Sequence, residues 1–215
     1  MANYKSIAID GPAASGKSVV GRSLAKKLSY DFLDTGIMYR AITYIIQEKE
    51  LDPTEASKFF INSELTIEFA NLENRILFQK KDITPFLFSD KINLQVSKYS
   101  KLKLVRKNLV IEQKRIAEKS NIVMVGRDIG TKVLPNANLK IYLDASIEVR
   151  AVRRSNEFNA LSTEKVKKMI ESRDVIDKSR SNSPLVIDKH AFVINTDNIS
   201  IEQVVEDILS LYKNG

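Results

Sequence analysis

The chain has no cysteine among its 215 residues. That excludes a disulfide framework and any thiolate chemistry. It has one histidine, His190, placed in a loop ahead of the last apolar run, and no role is assigned to it. No apolar run approaches the roughly 20 residues of a membrane span, so no membrane partner is expected. There is no internal repeat, low-complexity segment, long basic tail or aromatic stacking platform. Residues 1–5 lead straight into a strand-like run, which leaves no room for a secretory leader and makes the cytoplasm the expected compartment.

What is present is an ordinary globular composition, 43% hydrophobic and 28% charged, in a length that suits one domain with an insert. One string stands out: Gly11, Pro12, Ala13, Ala14, Ser15, Gly16, Lys17, Ser18. It fits G-x-x-x-x-G-K-[ST], a phosphate-binding loop. An apolar run (6–9) precedes it and a helical pattern (19–28) follows it. A loop in that setting aims backbone N–H groups and the positive end of a helix dipole at one point. Lys17 adds a compact charge for β- and γ-phosphates, and Ser18 a hydroxyl ligand for Mg²⁺. A nucleoside triphosphate is therefore the expected ligand.

Strand-like runs alternate with helical patterns along most of the chain. Strands are expected at 6–10, 30–33, 122–125, 139–143 and 192–195. Helices are expected at 17–29, 37–49, 101–119, from about 146, and at 163–179. Ser200 with Gln203 forms a capping-box pattern that opens a last amphipathic helix. Continuous apolar strands between helices imply a parallel sheet covered on both faces. Period-two runs at 65–69 and 75–78, with a third strand expected at 83–86, interrupt this order. They read as a small β-rich subdomain inserted over about 52–99, leaving a core of 1–51 and 100–215.

Three charged clusters begin at the ends of predicted elements: Asp34 to Arg40, Gly126 to Thr131, and Arg173 to Arg180. Ligands of an open parallel sheet sit beyond the carboxyl ends of its strands. Arginine forks suit a second phosphate-bearing substrate. Blander readings stay open at this point. Arg40 could be an exposed helix charge, and Tyr39 could simply pack. Arg127 and Asp128 could pair with each other. Arg173, Asp177 and Arg180, at i, i+4 and i+7, could form a surface ion network. Arg150, Arg153 and Arg154 could be a solvated helix face. The net charge of +7 admits a nucleic-acid partner. However, many lysines sit singly on helical patterns while the arginines lie near motifs, so a small anionic substrate accounts for the balance and no nucleic acid is expected.

Together the clusters resemble the bacterial cytidylate kinases, a nucleoside monophosphate kinase family. The resemblance runs from Ile7 to the last helix. It rests on Ile9-Asp10-Gly11-Pro12, on Leu33-Asp34-Thr35-Gly36 with Tyr39-Arg40, on Val125-Gly126-Arg127-Asp128-Ile129-Gly130-Thr131, and on Arg173-Asp174 with Asp177 and Arg180. It implies an α/β P-loop NTPase three-layer fold with a central parallel sheet, a β-rich insert in the monophosphate-binding region and a short helical lid at about 150–165. It implies transfer of the γ-phosphoryl group of ATP to CMP or dCMP, with Mg²⁺, by a monomer. By the same resemblance, residues 11–18 would cradle the donor phosphates. Arg40, Arg127 and Arg180 would hold the acceptor phosphate, with Thr35 and Tyr39 in the same site. Ser97, Arg106 and Asp128 would read the cytosine. Asp177 and Arg173 would sit near the sugar, and Arg153 and Arg154 on the lid.

This chain departs from the family pattern at several positions. Val125 stands where members often carry an acidic residue, so a carboxylate beside Mg²⁺ would have to come from elsewhere, such as Asp34. Ala14 stands where many have glycine, Thr35 replaces a serine, and Ile176 replaces a frequent polar residue. The alternatives are a kinase for another nucleoside monophosphate (UMP, AMP) or a small metabolite, and a nucleotide-dependent binding module.

Overall fold

The computed structural model describes residues 4–157 and 162–214. The chain runs β1 (Ser6–Asp10), α1 (Lys17–Leu28), β2 (Asp31–Asp34), α2 (Thr35–Lys49), α3 (Pro53–Ser57), β3 (Leu65–Ala70), β4 (Glu73–Phe78) and β5 (Lys81–Asp82). It continues with α4 (Asp90–Ser100), α5 (Lys103–Ala117), β6 (Ile122–Gly126), β7 (Leu139–Asp144), α6 (Ile147–Glu157), α7 (Thr163–Ser179), β8 (Phe192–Asn195) and α8 (Ile201–Asn214). Five strands form one parallel sheet in the order β2-β6-β1-β7-β8.

Side chains alternate across this sheet, and both faces are covered. Ile7, Ile9, Val123, Val125, Ile141 and Leu143 pack with Val20 and Leu24 of α1 and Val204 and Ile208 of α8. Ala8, Leu33, Ile122 and Met124 pack on the other face with Ile42 and Ile45 of α2 and Val105 and Leu109 of α5. Strands buried on both sides must be apolar throughout, which is why the run Ile122 to Val125 contains no polar residue.

Local chemistry sets the element ends. Asp34 is the N-cap of α2 and accepts the Gly36 N–H at 2.9 Å, so this helix begins at Thr35, earlier than the expected position 37. At α8 only half of the capping box forms. Ser200 Oγ accepts the Gln203 N–H at 3.2 Å, while the Gln203 side chain donates to Asp207 instead of reaching back.

The stretch between α2 and α5 corrects the sequence reading. It does hold an antiparallel sheet, β3-β4-β5, but also two helices, α3 and α4. The third strand is Lys81–Asp82, and the run expected as a strand at 83–86 is instead a 3₁₀ turn, Thr84–Phe86. Asp82 Oδ1 accepts the Thr84 N–H at 2.9 Å, Thr84 Oγ1 accepts the Ile76 N–H at 2.8 Å, and Pro85 has no N–H to give a ladder.

One side chain of the hairpin hydrogen-bonds to the backbone of the main sheet. β2 is an edge strand, and its outer rim is met by the side chain of Asn74. Asn74 Nδ2 donates to the Phe32 carbonyl at 2.6 Å, and its Oδ1 accepts the Asp34 N–H at 2.8 Å.

Candidate active site

Because β1, β2 and β6 are parallel and in register, their carboxyl ends fall on one line. Asp10 lies beside Gly126, and Asp34 beside Val125. The phosphate-type loop, the start of α2 and the Gly126–Thr131 segment therefore open onto one cleft of about 1110 Å³, which α4 and α7 also line.

The loop is built by backbone constraint. Gly11 has φ 151°, and a Cβ there would lie 2.1 Å from the Leu143 carbonyl oxygen. Gly16 has φ 90°. Ala14 also takes a left-handed conformation, φ 59°, at a cost of roughly 1 kcal/mol relative to glycine. Lys17 is buried and folds back, donating to the Pro12 carbonyl at 2.5 Å and to Ser15 Oγ at 3.2 Å. Burial, and then the neighbouring Arg127, hold its ammonium well below the usual lysine range. Ser18 Oγ donates to Asp34 Oδ2 at 2.6 Å. Val125, which stands where a carboxylate was expected from the family, is buried against α1 in the apolar core.

Facing the loop is a concentration of guanidinium groups. Arg127 Nε donates to Asp177 at 2.9 Å, and Arg180 Nη1 lies 3.4 Å from the same carboxyl. Burial alone would raise the Asp177 carboxyl, but Arg127, Arg173 and Arg180 together hold it below the ordinary value. Burial, reinforced by Arg127, brings Arg173 down to about 10. Arg173 Nε and Arg180 Nε and Nη2 are enclosed with no hydrogen-bond partner among the described residues. Unpaired buried donors on two arginines that both act on Asp177 form a ready cradle for an anion.

Deeper in the cleft, Arg106 Nη2 donates to Asp128 Oδ2 at 2.6 Å, with both side chains buried. The Arg106 guanidinium also sits 5.2 Å from the Tyr39 ring centre. Burial, with the Asp128 charge added, pushes the Tyr39 hydroxyl up to about 12, so it stays protonated. Arg40 donates to the Leu87 carbonyl at 3.1 Å and to Asn93 Oδ1 at 2.7 Å, with its guanidinium over the Phe88 ring.

The sequence of the whole chain carries the same signature. The sequence model of the cytidylate kinase family matches residues 7–214. The chain belongs to the cytidylate kinase family. A cytidylate kinase of Thermotoga sp. (strain RQ2) is 41% identical over 211 residues, 96% of each chain. That of Bacillus cereus (strain ATCC 10987 / NRS 248) is 42% identical over 214 residues, 96% of this chain and 95% of the relative. Among solved structures, a shikimate kinase from Acinetobacter baumannii, in complex with shikimate, shares the fold. Its TM-score is 0.50 at 17% identity, over 99% of this chain and 94% of that one.

For this kinase, most residues expected from the sequence meet in the cleft: those of the loop from Ala13 to Ser18, Thr35, Tyr39, Arg40, Ser97, Arg106, Arg127, Asp128, Arg153, Arg154, Arg173, Asp177 and Arg180 all line it. Gly11 and Pro12 shape the loop from behind, through the Gly11 turn and the Pro12 carbonyl. Of the blander readings, Arg127 pairs with Asp177 and not with Asp128, and Asp177 lies buried in the cleft wall. Thr35 turns its hydroxyl into the sheet, donating to the Val125 carbonyl at 2.9 Å. Arg150 is not a surface residue. It is buried, donating to Asp174 at 2.6 Å and to the Ala13 carbonyl at 3.2 Å. Arg153 donates to Thr196 Oγ1 at 2.9 Å and to the Thr196 carbonyl at 2.5 Å, so α6 is tied to the segment after β8. Of the expected lid, 158–161 lie outside the described residues.

Two buried polar residues had gone unassigned. Asp10 accepts the Ile129 and Gly130 N–H groups, each at 2.8 Å, and so fixes the segment carrying Arg127 and Asp128 to the last residue before the loop. Asn74 fixes Asp34. The string Ile9-Asp10-Gly11-Pro12 contained Asp10 but gave no sign of its partners.

Proposed function

We propose that the enzyme transfers the γ-phosphoryl group of ATP to CMP or dCMP, giving ADP and CDP or dCDP. The observation that carries this reading is the pairing, across one cleft, of a lysine-bearing phosphate loop with unpartnered guanidinium donors of Arg173 and Arg180. Family membership does not favour another monophosphate or a small metabolite as acceptor.

Residues Gly11 to Ser18 cradle the donor phosphates, and Lys17 leaves Pro12 to meet them. Arg153 and Arg154 add charge near the triphosphate. Arg40, Arg127 and Arg180 hold the acceptor phosphate, Asp177 with Arg173 sits at the sugar hydroxyls, and Ser97, Arg106 and Asp128 read the cytosine edge. Ser18 and Asp34 form an all-oxygen pair, the donor type Mg²⁺ prefers. When bound there, Mg²⁺ neutralises phosphate charge. An acceptor phosphate oxygen is already ionised near neutral pH, so no general base is needed and catalysis is positioning and charge stabilisation. The guanidinium groups offset the repulsion between two anionic substrates. We read the chain as a single cytoplasmic, monomeric kinase unit that takes no nucleic acid, in which 52–99 is the monophosphate-binding insert and about 150–165 the lid. Closure of the two over the cleft excludes water from the transferring group.

A coupled assay with ATP, magnesium and CMP, dCMP, UMP, AMP or GMP tests the reading. CMP and dCMP should lead. Absence of CDP formation sinks it. In Arg180→Ala, kcat should fall by about 10²–10³ and the monophosphate should weaken far more than ATP. Equal weakening of both would reject the role given to Arg180.

A further inference from the structure

A strand at the rim of a sheet leaves its outward N–H and C=O groups to be satisfied elsewhere. On β2 the two in question belong to Phe32 and Asp34, spaced as a pairing strand would use them. The Asn74 amide takes both, at 2.6 and 2.8 Å, and so stands in for a sixth strand with one side chain. Asn74 is 7% exposed. Its consequence falls on Asp34. With its N–H held by Asn74, the Asp34 carboxyl is fixed at both oxygens, Oδ1 by the Gly36 N–H at 2.9 Å and Oδ2 by the Ser18 hydroxyl at 2.6 Å.

We propose that Asn74 is a positioning residue for the metal-side carboxylate: through this one amide, the inserted hairpin sets how tightly the Ser18–Asp34 corner takes a divalent cation beside a bound nucleotide. The proposal rests on the reading of Ser18 and Asp34 as the metal corner. Residues that orient a metal ligand from behind commonly change metal affinity by about 10–100-fold. Asn74 does so from a different part of the chain than either ligand. The hairpin turn has a second, separate anchor. Leu72 is partly buried and packs against the apolar cluster on the α1 and α8 face of the sheet, so the apolar docking of the turn can be removed without touching the amide.

The test is Mn²⁺ binding to the full-length enzyme with ADP, read by electron paramagnetic resonance, alongside ADP affinity without metal and thermal unfolding. Asn74→Ala should weaken Mn²⁺ by about 10-fold and leave metal-free ADP binding within about twofold. Asn74→Asp keeps the acceptor for the Asp34 N–H but repels the Phe32 carbonyl. It should weaken Mn²⁺ by about threefold, and it carries the test if the alanine variant does not fold. Leu72→Ala should lower the melting temperature yet bind Mn²⁺ as the parent does. If Asp34→Asn leaves Mn²⁺ binding unchanged, the metal corner itself is misread. If Asp34→Asn loses the ion while the Asn74 variants keep it, the positioning role is overturned and the corner stands. Equal loss in Leu72→Ala assigns the effect to hairpin docking and overturns the proposal too.

Discussion

Asp10 holds two backbone N–H groups of the segment that follows β6 while sitting one residue before the phosphate loop. Those hydrogen bonds favour its ionised form, but burial outweighs them and pushes its carboxyl from 3.8 up to about 6. The folded protein thus keeps this proton over a range in which the unfolded chain has released it. Its contribution to stability is fullest below about pH 3.8 and falls as pH rises to about 6, by ~3 kcal/mol. Urea unfolding at several pH values should show that slope in the parent protein and lose it in Asp10→Asn. Arg106 and Asp128 form a buried ion pair. Removing one partner strands the other, so Asp128→Ala should cost about 3–5 kcal/mol in the same assay. It should also narrow the preference for CMP over UMP in steady-state kinetics. At this scale the sequence was readable where a residue belonged to a string, as Lys17 and Arg127 do. Asp10 and Asn74 act through partners 119 and 42 positions away, and no local pattern announces such a bond.

Among the elements, α1 bears most directly on the loop, since it starts at Lys17. It lies close on the sheet because Gly21 has no side chain. A Cβ there would stand 2.6 Å from Val125 Cγ1 and 2.9 Å from Phe32 Cε2. Gly21→Ala should therefore lift the helix and cost about 1–3 kcal/mol in chemical denaturation. Because the phosphate loop moves with α1, the KM for ATP should rise more than that for CMP. The strands of the parallel sheet were readable from sequence because burial on both faces demands uninterrupted apolar runs. The helix α4 was not. Its segment, Asp90–Ser100, follows two period-two runs and itself alternates at Ile92, Leu94 and Val96, although only Ile92 and Val96 face the core while Leu94 is exposed. The 3₁₀ turn at Thr84–Phe86 reads as a strand for a similar reason: Ile83 and Phe86 supply apolarity, while the Asp82 and Thr84 side-chain bonds and Pro85 turn the backbone.

For the molecule as a whole, the net charge of +7 is partly concentrated in one place. Arg40, Arg106, Arg127, Arg173 and Arg180 all line one cleft. Folding has gathered like charges there, with Asp177 and Asp128 offsetting part of the repulsion. Such a field draws in anions and is screened over about 10 Å at 0.1 M salt. Raising sodium chloride from about 0.05 M to about 0.5 M should increase the KM for CMP several-fold while kcat at saturation changes little. An unchanged KM would mean the field plays no part in capture.

Arg150 gives the cleft a fixed shoulder. Its guanidinium is bolted at once to Asp174 on α7 and to the Ala13 carbonyl in the loop, so the bases of α6 and α7 travel with the donor cradle as a single piece. Arg153, less than a turn further on, is moored as well, to Thr196 beyond β8. Cutting Arg150 back to alanine would therefore take the brace from the cradle while α6 stayed fastened at its other mooring.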